Sequence, residues 1–279
     1  MNLNFKNISI IGLGLIGTSI LHAIKVKEED EVVTFAYDIN PKHRDIVLQM
    51  KIASFVCDDI QDAVREADLV ILAVPVGSMK TVANLIAPFL KKNTVVTDTG
   101  STKRSVVNDV NPYMPDNVYF IPSHPLAGTE YSGPKSGFSS LFKNRYWLIV
   151  YDKQTNETKK LINFFQTLGS FVEIVNTEYH DKILAITSHL PHLIAYTIVG
   201  TASDLETDLK NDVIKFSASG FRDFTRIASS DPIMWRDVFL NNSDAVLEML
   251  QRFNEDLSDL QKAIRKKDGV KLYSFFSRT

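Results

Sequence analysis

The sequence predicts two domains in series: an α/β domain built on a parallel sheet, residues 1–176, and an all-α domain, residues 177–279. Three observations carry this reading. Apolar runs of strand length alternate with helical periods through the first part of the chain, the pattern of strands joined by crossover helices. The first strand breaks into closely spaced glycines and resumes as a helix. From Tyr179 onward only helical periods remain, with short polar breaks at Gly220 and Ser229-Ser230-Asp231 and no Gly/Ser/Pro-rich linker.

Taken in order, residues 8–11 form the first strand, and the helix after the glycines runs to about residue 27. Residues 32–37 read as a strand ending at Asp38, and Pro41 opens a helix over 43–51 at a position where its missing N–H costs nothing. A short strand at 52–55 and a helix at 60–66 precede Leu69-Val70-Ile71-Leu72-Ala73-Val74, a run apolar enough to be buried on both faces. Pro75 stops it. Then come a helix at 79–90, a strand at 94–98, a helix at 103–110 and a strand at 118–121 running into Ser123-His124. A strand at 147–150, an amphipathic helix at 157–168 and a strand at 171–175 close the first domain. Helices are expected at 182–201, 205–217, 222–228, 232–254 and from 257 to the end.

Composition narrows the function classes. With 279 residues, 44% hydrophobic and 23% charged, the chain has the make-up of an ordinary globular protein of two-domain size. A net charge of −2 gives no reason to expect nucleic acid or an anionic membrane as partner. The single cysteine, Cys57, excludes an internal disulfide, fits a reducing compartment, and reads as a small core or strand-end residue rather than a nucleophile. The N-terminus, MNLNFKN, lacks the features of a signal peptide, and no uninterrupted apolar run approaches the ~18 residues that span a bilayer. A cytoplasmic protein is expected.

The stretch Gly12-Leu13-Gly14-Leu15-Ile16-Gly17, between a strand and a helix, is the G-x-G-x-x-G pattern of a Rossmann-type dinucleotide site. Gly12 permits the sharp turn, Gly14 lets a pyrophosphate approach the backbone, and Gly17 lets helix and strand pack closely. Leu15 and Ile16 open the helix, whose N-terminal N–H groups face the phosphates. Asp38, 21 residues beyond Gly17, is placed for a ribose 2′-hydroxyl. No arginine follows directly at Ile39 or Asn40, so NAD is expected rather than NADP. Alternatively the stretch is a buried β-turn-α with incidental glycines.

Ligands of open α/β sheets lie beyond the carboxyl ends of the strands. Three polar clusters fall there: Val76-Gly77-Ser78 after Val74, Asp98 to Lys103 with Gly100 and Ser101, and Ser123-His124-Pro125. Ser101 offers a hydroxyl beside the expected nicotinamide, and Ser101 or Thr102 could equally cap a helix. His124 suits a general base, against a surface or structural role. In the helical domain, Pro191 should loosen the backbone between His189 and His192. Those histidines fit substrate contact or packing better than a metal, since nothing nearby completes a ligand set, and no metal is expected. Arg222 and Arg226 stand one helical turn apart, as carboxylate recognition or a structural pairing would have them.

Together GLGLIG, TDTGSTK, SHPLAGTEYSG, SHLPH, FRDFTR and SDPIMWRD resemble, in order and spacing, the prephenate dehydrogenase family (TyrA), from Ile8 to about Asn242. The resemblance implies oxidation and decarboxylation of prephenate by NAD to 4-hydroxyphenylpyruvate, in tyrosine biosynthesis. It implies that Gly12, Gly14, Leu15, Ile16, Gly17, Asp38, Val74, Ser78 and Ser101 hold the coenzyme. His124 would draw the proton from the ring hydroxyl with Ser101 beside it. Arg222 would bind a substrate carboxylate and His189 lie near the substrate, while His192 and Arg226 contact it or shape its pocket. Arogenate dehydrogenase is similar in these residues, and an NAD-binding sensor without catalysis is the reading from another class. A homodimer through the helical domain is also expected. The chain read here carries neither a preceding chorismate mutase segment nor a C-terminal regulatory domain, so feedback by tyrosine would act at the active site.

Overall fold

The computed structural model describes residues 3–27, 32–150, 155–205, 215 and 218–279. Short apolar strands joined by helical crossovers form a parallel sheet of β1 (Asn7–Ile11), β2 (Val33–Tyr37), β3 (Phe55–Val56), β4 (Leu69–Leu72), β5 (Val95–Asp98) and β6 (Tyr119–Phe120). Side chains alternate between faces along each strand. Ile8, Ile10, Leu69, Ile71 and Val95 enter one core with α1 (Leu15–Val26) and α2 (Pro41–Met50). Ile11, Val70, Leu72 and Val96 enter the other with α3 (Ile60–Val64), α4 (Met79–Ile86) and α5 (Arg104–Val110). Burial on both faces explains the unbroken apolar reading of β4. The Asn40 side chain caps α2 from the Lys42 N–H, with Pro41 next to it, and Lys51 ends the helix in the left-handed region at φ 54°.

The strand order is β3-β2-β1-β4-β5-β6. Chain order therefore reverses between β1 and β4, and the crevice beyond their carboxyl ends is where such sheets bind ligands. Gly12 turns the chain there at φ +100°, and a Cβ on it would lie 2.3 Å from the Ala73 carbonyl oxygen. Neighbouring strands can sit this close at their ends only because Gly12 has no side chain.

The remaining strands of the first domain do not extend this sheet. β7 (Ser123–Pro125) runs antiparallel to β8 (Tyr146–Val150), which runs parallel to β9 (Phe171–Val175), as a separate three-stranded sheet. Only Ile121 and Pro122 separate β6 from β7, too few for the crossover that parallel neighbours require. Ser123 joins the sheets instead. Its N–H donates to Asp98 Oδ1 at 3.1 Å, its hydroxyl donates to the Asp98 carbonyl at 2.7 Å, and it accepts from Trp147 Nε1 at 2.9 Å. Trp147 is fully buried and stacks on Phe165 of α6 (Asn156–Thr167) at 3.8 Å. The connection between β7 and β8 folds back on α1, where the Phe138 N–H donates to Ser19 Oγ at 3.1 Å.

After β9 the described residues are helical: α7 (Thr177–Leu184), a π-helical turn (Ala185–His189), α8 (Leu190–Ser203), α9 (Ser219–Ala228), α10 (Pro232–Asn241), α11 (Ser243–Arg265) and α12 (Gly269–Ser277). The loosening expected at Pro191 takes the form of the π turn just before it. The helix expected over 232–254 divides at Asn242, whose φ of −125° leaves the helical range, and no break falls near 257. Asn242 leaves the helix because its buried side chain bonds elsewhere, as shown below. The helix expected at 205–217 lies almost entirely outside the described residues. By length and composition alone the stretch Thr177–Ser203, with mean hydropathy 1.4 in its most apolar part, could cross a membrane. Asp181 and His189 interrupt it and are buried.

A Cβ at Gly17 would lie 2.0 Å from the Gly12 carbonyl oxygen, a backbone atom with nowhere to move. Gly17→Ala is therefore expected to destabilise the fold by on the order of 3 kcal/mol or more. Urea unfolding of the variant measures this, and a midpoint equal to that of the parent would contradict it.

Candidate active site

The first turn of α1 faces the β1–β4 crevice with no side-chain cap at Gly14 and no acidic residue. A Cβ on Gly14 would meet nothing within 4 Å, so this glycine answers to no neighbour in the protein, unlike Gly12 and Gly17. An open approach to uncapped N–H groups is what a pyrophosphate requires. Leu15 and Ile16 are half-buried in this turn, and Val74 lies beside Gly12 at the end of β4. Ser78 ends a short 3₁₀ turn, Val76–Ser78, in which Gly77 lies against the Asp237 carboxylate of α10.

Asp38 stands at the end of β2. Its Oδ2 accepts the Leu13 N–H at 2.8 Å and meets His43 Nδ1 at 3.2 Å, and its Oδ1 accepts the Asn40 N–H at 2.8 Å. The carboxylate thus fixes the glycine turn. Ile39 and Asn40 alone do not reveal what α2 brings back to this strand end: the His43 ring, and Arg44, whose Nη1 donates to the Asp38 carbonyl at 2.8 Å.

At the end of β5 the chain gathers its buried charges. The Lys103 ammonium, fully buried, pairs with Asp98 Oδ2 and donates to the Ser123 carbonyl at 2.7 Å. The expected N-cap role of Ser101 or Thr102 belongs instead to Asp181. Its two carboxylate oxygens accept the N–H groups of Lys103 and Arg104 at 2.8 and 2.9 Å. Thr102 pairs with Ser105 at 2.8 Å.

His124, on β7, is buried, with Nδ1 3.0 Å from His180 Nε2, and His180 Nδ1 lies 2.7 Å from Asp181 Oδ1. Burial first, then the neighbouring His180, Lys103 and His189, hold His124 well below its ordinary pKa. It is therefore neutral near pH 7, with Nε2 as its remaining ring nitrogen.

His189 is held by Asn242, whose Nδ2 donates to the Asp181 carbonyl at 2.9 Å and lies 3.1 Å from His189 Nδ1. An amide that donates to a carbonyl presents its second hydrogen to the ring, so His189 Nδ1 accepts and Nε2 carries the proton. That Nε2–H is buried beside the Ser101 backbone with no partner at full hydrogen-bonding geometry, and Trp235 Nε1 is likewise buried without a partner. His189 meets Trp235 edge-on with ring centres 6.0 Å apart, and His192 stacks on it at 3.7 Å. His192 Nδ1 donates to the Ser188 carbonyl at 2.8 Å. Of the two arginines on α9, Arg226 is the one whose charge acts on His192, and it also pairs with Asp223 at 3.7 Å. Arg222 is exposed. Ser101 is half-buried, with its backbone beside His189. Asp181, His180, Asn242 and Trp235 escaped sequence reasoning. The one available signal was Asn176, a good N-cap whose side chain accepts the Tyr179 N–H, which starts the helix early enough to include His180 and Asp181.

A glycine turn at a parallel-sheet switch point, with buried histidines contributed by a helical partner domain, defines a nucleotide-dependent dehydrogenase. Residues 22–174 match the prephenate dehydrogenase nucleotide-binding domain and residues 176–278 the prephenate dehydrogenase dimerization domain. The chain belongs to the prephenate dehydrogenase family. It is 42% identical to a cyclohexadienyl dehydrogenase of Zymomonas mobilis over 99% of this chain and 94% of the relative. It is 32% identical to a prephenate dehydrogenase of Bacillus subtilis, over 99% of this chain and 75% of that protein. In structure it resembles the A. aeolicus prephenate dehydrogenase in complex with hydroxyphenyl propionate and NAD+, with a TM-score of 0.88, 29% identity and coverage of 98% and 95% of the two chains.

The neutral histidines make stability acid-sensitive. Burial lowers the His189 pKa from 6.5 to about 4, against the opposing Asp181 charge. The unfolded chain takes up this proton first, so the contribution is complete above pH 6.5 and is lost as pH falls toward 4. The loss from this residue is about 3 kcal/mol. Urea unfolding at steps across that range is expected to show the decline, and a flat profile would contradict it.

Proposed function

We propose that the protein oxidises and decarboxylates prephenate with NAD, giving 4-hydroxyphenylpyruvate, carbon dioxide and NADH. The observation that carries this is the complementary pair of buried imidazoles: His124 with Nε2 beyond its relay contact, and His189 with an Nε2–H that has no partner at full hydrogen-bonding geometry. One suits accepting a proton, and the other suits donating to a substrate oxygen.

The uncapped α1 N-terminus with Gly14 and Asp38 fits NAD, which when bound supplies the hydride acceptor. His124 takes the hydroxyl proton as its carbon is oxidised. Loss of the ring carboxylate as carbon dioxide then leaves its electron pair in the ring, which becomes aromatic, and the phenol oxygen recovers a proton. Most of the driving force lies in the substrate, so the protein's task is orientation. Arg226, Arg222 and the Trp235 N–H are the donors available for carboxylates, with Arg226 favoured because its charge acts on His192. Residues 1–176 would hold the coenzyme, and residues 177–279 would complete the substrate site and pair two copies as a homodimer.

A second reading is arogenate as substrate. The cyclohexadienyl ring is common to both compounds, and the Zymomonas mobilis relative is named for that ring alone. Formation of NADH or NADPH from each substrate with each coenzyme separates the readings. Prephenate with NAD is expected to be fastest. Faster reduction with arogenate would change the substrate, and no reduction in any mixture would overturn the proposal.

His124→Asn is expected to lower kcat by roughly 10²–10⁴ while NAD affinity, read by fluorescence titration, stays within a few-fold. Unchanged turnover would remove His124 from its role. For the arginines, Arg226→Gln is expected to raise the substrate KM by about tenfold or more with a smaller change in kcat, and Arg222→Gln to raise it less. The reverse order, or an effect confined to kcat, would reassign the carboxylate contact.

A further inference from the structure

A buried histidine and a buried carboxylate remain that the proposed chemistry does not use. His180 has no solvent exposure and Asp181 is nearly as enclosed. They form a chain: Asp181 Oδ1 to His180 Nδ1 at 2.7 Å, and His180 Nε2 to His124 Nδ1 at 3.0 Å. Asp181 cannot swing away, because the Lys103 and Arg104 N–H groups hold its oxygens and Asn242 holds its carbonyl.

The donor and acceptor roles along this chain follow from its anchored end. An ionised carboxylate only accepts, so His180 Nδ1 carries a hydrogen. Hydrogen bonds from His180 and from two backbone N–H groups keep Asp181 ionised against its burial. Burial keeps His180 neutral, so its Nε2 holds a lone pair. That lone pair accepts from His124 Nδ1–H. In neutral His124 the second nitrogen, Nε2, is then bare. An imidazole left free of such a partner places its hydrogen on either nitrogen, and with Nε2–H it cannot take a proton from a hydroxyl.

We propose that His180, oriented by Asp181, is a positioning residue that fixes His124 in the Nδ1–H tautomer and so keeps Nε2 open as the proton acceptor. The assignment of the step to His124 rests on the function proposed above. The tautomer itself does not. The charged and titratable groups facing the pair are Asp181, Lys103 and Asp98 around His180, and Lys103 and His189 around His124. The fixed ammonium of Lys103 opposes protonation of both rings. The relay therefore orders a neutral pair rather than storing a charge.

The test uses the full-length protein with ¹⁵N-labelled histidine, whose NMR shifts and couplings distinguish protonated from bare ring nitrogens. Assignment comes from His124→Asn and His180→Gln spectra. In the parent near pH 7.5, both His124 and His180 are expected to carry hydrogen on Nδ1 alone. A His124 signal showing Nε2–H overturns the proposal whatever the activity, and stands even if a variant folds poorly.

In kinetics, His180→Leu is expected to lower kcat about 10²-fold with both KM values within about threefold, because it removes the acceptor without touching ligand. His180→Gln, whose amide oxygen can accept from His124 Nδ1–H, is expected to recover at least tenfold of that loss. Equal activity of the Leu and Gln variants, or a loss confined to KM, contradicts the positioning role. Absence of turnover in the parent with any substrate counts against the proposed function and leaves the NMR outcome to decide the tautomer.

Discussion

Lys103 has no contact with water, yet its ammonium meets a carboxylate and a carbonyl that come from different strands. Removing two charges from water costs several kcal/mol per ion, and only close, well-directed partners recover it. Asp98 is directed in this way: besides Lys103 it accepts the Gly100 N–H at 2.7 Å and the Ser123 N–H at 3.1 Å. The end of β5, the turn that carries Ser101 and the start of β7 therefore converge on one carboxylate. Neither charge can be left alone in this interior without a penalty comparable to much of the fold's net stability. His124 follows Ser123 directly, so its place is set by the same convergence.

The second domain completes this arrangement rather than merely covering it. Asp181 occupies the helix start that a local serine or threonine would ordinarily cap, and in doing so ties α7 to the Ser101 turn. Asn242 then links the Asp181 carbonyl to His189, and Gly77 lies against Asp237. Ring nitrogens on β7 and on the helical domain are brought together by these bonds. A dehydrogenase divided this way depends on the seating of one domain on the other as much as on any residue in the crevice.

What could be read in the chain was what local spacing encodes. The glycine turn, Asp38 and His124 were legible because strand ends, turns and strand-to-helix switches leave marks within a few residues. The succession of strands that build the parallel sheet was legible as far as β6, though not their order in it. Beyond it the short step from β6 to β7 forces a second sheet, a consequence of connection length that strand propensity does not carry. Asp181, His180 and Asn242 were invisible because their partners are remote: Arg104 lies 77 positions from Asp181, and Asn242 lies 61 beyond it. A histidine next to an aspartate in an amphipathic helix carries no mark of burial. The division of the 232–254 helix shared that cause, since the bonds that pull Asn242 out of helical geometry are made to other helices.

The π turn at Ala185–His189 has a consequence for how this helix can change. Such a turn houses one surplus residue within an otherwise α-helical rod. Each residue of an α-helix advances the azimuth by about 100°, so His180 and Asp181 on one side of the turn and His192 on the other are phased independently. The N-terminal segment is phased to the α/β domain, and the C-terminal segment to Trp235. Excising one residue at the turn itself would restore a regular α-helical turn and leave the two groups in phase, whereas excising one from the α-helical segments on either side would rotate them about 100° apart. The π turn is thus the one place in this helix where chain length can change by a residue without disturbing the site, and a length change elsewhere along it weighs more than most substitutions on its surface.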